Sequence, residues 1–232
     1  MRESLCSIPI SEVLEKKRGC PICTMHRILE ERMVEYITGA AMMEPDVRCE
    51  TNRKGFCHTH FEEMLKKRNR LSVALILESH LKEVRQQIFK KAKRPFVKGD
   101  AKKQATEANR MVTDCFVCDK IEWAMERQIA TLCRLYGEQS EVRALFAEQE
   151  GLCLPHYARL TAQSDKVSKR YHDEFLADCK ALALQTLDTL EEDVSHFCKM
   201  FDYRNSGENA DIKNAKDSLE RAVLFLTGQV VG

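Results

Sequence analysis

Nothing in this chain is apolar for the ~18 residues that a membrane-spanning helix requires, so no membrane role is expected. Glycine and proline are scarce, at 9 and 5 in 232 residues, and β-branched runs are few, which argues against a turn-rich β-sandwich or barrel. The phosphate loop GxxxxGK[ST], the dinucleotide turn GxGxxG, the nucleophile elbow GxSxG and the metallopeptidase helix HExxH are all missing. A thioredoxin-type reading of CxxC needs a βαβ context, which is also missing. The first residues, Met1-Arg2-Glu3-Ser4-Leu5-Cys6, lack the charged-then-apolar layout of a signal peptide, so a cytoplasmic protein is expected. Eleven cysteines in a reducing compartment point to metal ligands and buried thiols more than to disulfides.

What is present is a soluble composition, 44% hydrophobic and 31% charged, with apolar residues recurring at three- and four-residue steps. That pattern predicts an all-α fold. The net charge of +1 hides an imbalance: residues 1–111 carry 23 Lys/Arg against 15 Asp/Glu, and residues 112–232 carry 14 against 21. Opposed halves of this kind can attract one another within a fold or between protomers.

The strongest signal is a pair of motifs written twice. Cys20-Pro21-Ile22-Cys23 is followed by Gly55-Phe56-Cys57-His58-Thr59-His60, and Cys115-Phe116-Val117-Cys118 by Gly151-Leu152-Cys153-Leu154-Pro155-His156. Pro45-Asp46-Val47-Arg48 and Ser140-Glu141-Val142-Arg143 keep the same distance from their CxxC, so a repeat of about 95 residues is indicated. Each copy supplies three thiols and one imidazole, the donor set of a closed tetrahedral zinc site. The expected ligands are Cys20, Cys23, Cys57 and His60 in the first repeat, and Cys115, Cys118, Cys153 and His156 in the second. His60 is chosen over His58 because Leu154 matches His58 while His156 matches His60. Two zinc ions per chain are expected; an iron–sulfur cluster fits three thiolates and an imidazole less well.

The expected organisation is two tandem helical repeats, each stapled by its own Cys3His site: residues 1–92 and 112–204. A basic linker occupies 93–111, and a turn with a capping helix laid across both repeats occupies 205–232. In each repeat one helix begins at CxxC and another at CxxH, where unpaired backbone N–H groups favour thiolate. The second helix is expected to run from 60 to about 92 in the first repeat, and from about 156 to 203 in the second with a break near Ser164-Asp165.

Other groups suggest less. His172-Asp173-Glu174 has the HxE of a zinc deaminase but no CxxC after it, so a solvated helix face is expected. His80, in an apolar stretch, reads as a hydrogen-bonded core histidine. Cys6, Cys49, Cys133, Cys179 and Cys198 have no counterparts between the repeats and read as core or partly exposed thiols, and His196 with Cys198 as packing.

The motifs resemble those of a bacterial family of unknown function, common in clostridia and related Firmicutes. Its members carry CPxC, ETNxKGFCxxH, NRLxLALxLxxHL, a second CxxC…KGFCLPH and a closing FDYRN. The matching residues are Cys20 to Cys23, Glu50 to Cys57, Asn69 through Leu81, Cys115 to Cys118, Gly151 to His156 and Phe201-Asp202-Tyr203-Arg204-Asn205. Glu150 departs from the lysine usual there. The resemblance implies no activity. Four protein ligands per site leave no position for a water, so a binding or regulatory module is expected and not an enzyme. Its partner would be another protein or a second copy. The alternatives are nucleic-acid binding through the basic first half, where Lys66-Lys67-Arg68-Asn69-Arg70 and the linker lie, and a thiol-based redox or metal sensor.

Overall fold

The computed structural model describes residues 9–89, 100–200 and 215–228. Among them are eleven helices and no strand, in keeping with the low glycine and proline content. They are α1 (Ile10–Leu14), α2 (Pro21–Thr38), α3 (Pro45–Lys54), α4 (His58–Lys66), α5 (Arg70–Ile88), α6 (Asp100–Thr113), α7 (Phe116–Glu138), α8 (Ser140–Ala147), α9 (Leu154–Ala162), α10 (His172–Met200) and α11 (Ser218–Thr227). Cys6, the FDYRN motif at 201–205 and the linker through residue 99 lie outside the described residues.

The helix starts follow local chemistry. Pro21 opens α2, where its missing N–H costs no hydrogen bond, and Pro45 does the same for α3. The expected long helix after the first CxxH is in fact two helices. Asn69 caps α5 by accepting from Ser72 N–H at 3.3 Å, and its amide donates to Thr38 O at the end of α2 at 3.0 Å, which fixes the break. After the second CxxH the chain breaks as expected, through a 3-10 turn at Ser164–Lys166. Part of the expected linker is helical: α6 packs on α3 and α5.

The chain divides into two compact units, and their boundaries are not those of the sequence repeats. One unit spans Ile28–Ala124. The described residues of the other are 9–27 and those from Met125 onward. Helix α2 is therefore shared after its first seven residues, and α7 after Ala124.

In the first unit, Leu29, Met33 and Ile37 of α2 are buried, as are Met64 of α4, Ile76 of α5, and Phe116 and Ile121 of α7. Leu29, Met33 and Ile37 form an i, i+4 stripe, so one face of α2 is removed from water. Phe56 meets Phe61 and Phe116 edge-on at 5.3 and 6.4 Å, placing an aromatic cluster beside Cys57 and Cys115. In the second unit, Tyr136, Phe146 and Phe175 form a core trio with centroids 4.9 to 5.7 Å apart, and the Tyr136 hydroxyl donates to Asp178 at 2.6 Å. Buried Gln149 donates its amide to Leu14 O at 2.7 Å, which ties α1 to the end of α8. Helix α11 packs on α9 and α10 of this unit, whereas the sequence suggested a cap across both repeats.

Two candidate metal centres

All eight expected ligands gather into two clusters of four, but the partners are exchanged. Cys20 and Cys23 stand with Cys153 and His156; Cys115 and Cys118 stand with Cys57 and His60. In each cluster the four ligand atoms lie within 4.8 Å of one another. The expectation that each repeat closes its own site is therefore corrected: every set takes its CxxC from one repeat and its CxxH from the other. The exchange follows the division of the chain, because residues 20–27 share a unit with α9, and 115–124 share one with α4.

In the first centre, Cys20 immediately precedes α2 and Cys23 lies in its first turn; Cys153 is the N-cap of α9 and His156 its third residue. The Cys153 thiol lies in the cluster at the start of its own helix. His156 Nδ1 lies 3.0 Å from Cys153 Sγ, 3.3 Å from Cys23 Sγ and 3.5 Å from Cys20 Sγ. Cys153 Sγ is 3.6 Å from Cys23 Sγ and 3.8 Å from Cys20 Sγ. A zinc tetrahedron with Zn–S of ~2.3 Å and Zn–N of ~2.05 Å has S···S edges of about 3.8 Å and N···S edges of about 3.6 Å. The sulfur edges match; the nitrogen edges are shorter by up to about half an ångström.

The second centre repeats this arrangement. His60 Nδ1 is 3.1, 3.3 and 3.4 Å from the sulfurs of Cys57, Cys115 and Cys118, and Cys57 Sγ is 3.9 Å from Cys118 Sγ. Cys57 is the N-cap of α4, without a capping bond, and Cys115 precedes α7. Four helix N-termini thus open onto the two centres, each adding partial positive charge beside sulfur.

Each centre is tied together by a hydrogen bond from a backbone N–H. Phe116 N–H donates to Gly55 O at 3.0 Å, joining the CxxC of the second centre to its GxC turn. In the first centre, Gly19 N–H donates to the Glu150 carboxylate at 2.7 Å. The GxC glycines are pressed against the long helices. A Cβ on Gly55, whose φ is +73°, would meet the His80 ring at 3.0 Å; a Cβ on Gly151 would meet Thr186 Oγ1 at 2.0 Å. His80 is 8% exposed and shares a hydrogen bond with Asn52 O through Nδ1 at 3.0 Å, which fits the core role expected of it.

The second centre also has a buttress that the sequence did not reveal. Glu30 Oε1 of α2 lies 3.2 Å from His60 Nε2, off the line of a well-formed hydrogen bond, and neither atom meets another hydrogen-bonding group. A proton on Nε2 facing a carboxylate leaves Nδ1 as the ligand atom, the arrangement that orients metal-binding histidines. Burial alone would lower the His60 pKa, but the neighbouring Cys115 thiol and Glu30 carboxylate carry it up to about 10. At the same centre, Cys115 is lowered to about 3, first by its bond with Cys118. Cys118 is raised by the same bond. In the first centre, burial and then the bond with Cys153 push Cys20 well up. Three sulfurs so close share protons, and a dication is the charge that lets all three become thiolate.

The remaining sequence candidates are elsewhere. His58 is 87% exposed and pairs with Glu62 at 3.3 Å. His172 faces Ser164 and Asp173, half-exposed. Cys133 and Cys179 are buried, and Cys49 and Cys198 are exposed. In the basic cluster, Lys66 and Lys67 pair with Glu63 and Glu35 at 2.6 and 3.2 Å, so part of its charge is answered locally.

No curated protein and no solved structure matches the chain. The model of a family of unknown function (DUF6062) matches residues 1–232, and the chain belongs to that family.

Proposed function

We propose that this DUF6062 protein is a zinc-binding helical module in which two structural zinc ions, one per Cys3His set, hold the fold and leave its surfaces to a binding or regulatory role. The observation that carries the reading is the gathering of three sulfurs and one imidazole nitrogen within 4.8 Å of one another in each set, reached by residues 130 apart in sequence at Cys23 and Cys153 and 61 apart at Cys57 and Cys118. Three thiolates and one imidazole select zinc over the harder divalent ions. With all four positions taken by protein, no site remains for a metal-bound water, so the metal's contribution is to stability.

The size of that contribution follows from chain entropy. Treated as cross-links, ties across 130 and 61 residues remove about 5 and about 4 kcal/mol of unfolded-state freedom respectively. A tie from Cys23 to Cys57 within one repeat would remove about 1 kcal/mol less than the first of these. Elemental analysis of the full chain purified without oxygen tests the reading. Two zinc per chain is the expected result; iron with visible absorbance, or no metal with the fold intact, overturns it.

A further inference from the structure

Beside the first centre lies a partly open cavity of about 520 Å³. Its floor is the metal-binding loop itself: Cys20, Cys23 and Cys153 line it, together with Gly151 and Leu152. Its far wall is built from α10, through Gln185, Thr186, Thr189 and Leu190, and from α11, through Arg221, Leu224 and Phe225. Cavities of roughly 300–1,000 Å³ with an apolar lining and a few convergent polar groups are the usual form of a small-molecule site. Here the apolar part is Leu152, Leu190, Leu224 and Phe225, of which only Leu224 is largely exposed.

The charges on the walls give the sign of a ligand. Among the described residues, three arginines and one carboxylate line the cavity. Glu150 accepts the Gly19 N–H at 2.7 Å, and Arg221 is held by Asp193 at 2.8 Å and Asp217 at 2.9 Å. Arg18 and Arg27, both exposed, also line the cavity, one before the CxxC and one a turn beyond it. Guanidinium groups beside an apolar chamber match a carboxylate head joined to a hydrocarbon body.

We propose that this cavity binds a small organic anion with an apolar body, a medium-chain carboxylate, whose head meets Arg18 and Arg27 and whose chain lies against Leu190, Leu224 and Phe225. Such a ligand would sit over the sulfurs of one metal centre. The site is formed by protein atoms, so its success or failure is read separately from that of the zinc assignment, which elemental analysis decides.

The test is calorimetric titration of decanoate into the full chain, with decanamide and decylamine as neutral and cationic counterparts. Saturable binding at one site per chain is expected, weakened at least tenfold by Arg18→Gln with Arg27→Gln, since a charge-assisted contact is worth ~1.5–3 kcal/mol. Thr189→Trp, at an exposed position whose side chain reaches the cavity, should abolish binding while leaving circular dichroism and metal content unchanged. Any of three results overturns the proposal: no saturation by decanoate, equal or tighter binding of decanamide or decylamine, or binding that survives Thr189→Trp.

Discussion

The crowding around Gly151 makes Gly151→Ala a demanding test of how the first centre is positioned. The new Cβ would lie 2.0 Å from Thr186 Oγ1 and 3.3 Å from Thr186 Cβ, where ordinary contact begins at 3.4 Å. Thr186 can relieve the clash by rotating, but its hydroxyl then gives up the bond to Leu182 O at 3.0 Å. The alternative is to shift the loop, which carries Cys153 two residues on. Loss of a helix-internal hydrogen bond and overpacking of a dense contact together cost about 2–3 kcal/mol. For a chain of this length that lowers the melting temperature by roughly 4–12 °C, measured by calorimetry with excess zinc. Thr186→Ala removes the obstructing oxygen and gives up the bond to Leu182 O, but alanine's higher helix propensity offsets part of that loss, so it should cost under about 1 kcal/mol alone and should recover about 1–2 kcal/mol when combined with Gly151→Ala. The reasoning fails if Gly151→Ala melts within about 1 °C of the parent, or if Thr186→Ala rescues nothing.

Two further outcomes follow from other contacts. Glu30→Gln should weaken zinc at the Cys57/His60/Cys115/Cys118 centre about 10- to 100-fold and leave the other unchanged, read by chelator competition, because Met125 occupies the equivalent position in the second repeat; an equal effect at both centres would contradict the buttress. Tyr136→Phe should cost about 1–2 kcal/mol through loss of the bond to Asp178. Burial, and then that bond, hold the Tyr136 phenol well above its usual pKa, so its contribution is whole below about pH 10 and is lost as pH rises beyond it. Melting temperatures should therefore fall more steeply above pH 10 in the parent than in Tyr136→Phe, and parallel curves would refute the assignment.

Which eight residues gather was legible in the sequence, and how they pair was not. Comparing the copies chose His60 over His58, and the structure places His60 in a cluster and His58 at the surface. Yet CxxC and CxxH are nearly the same in both repeats, so either exchange of partners satisfies the same chemistry. The pairing is decided by which helices pack into the same unit, and that depends on contacts 55 to 136 residues apart. Local signals fared better: Pro21 and Pro45 mark helix starts, and Ser164-Asp165 marks a real break. The break at Asn69 carried a signal too, an N-cap residue inside a charged run, but the continuous helical pattern on both sides masked it. Glu30 gave no signal at all, because its role comes from a histidine thirty residues away that reaches it only in the folded chain.

The central claim is that the two sets of ligands are shared between the repeats, and metal counts in paired variants address it most directly. Native mass spectrometry of zinc-loaded Cys23→Ser with Cys153→Ser should show one zinc per chain, because both substitutions fall on one centre. Cys23→Ser with Cys57→Ser should show none, because each centre loses a ligand. The reverse pattern, none in the first pair and one in the second, would mean that each repeat closes its own site and that the exchanged pairing is wrong.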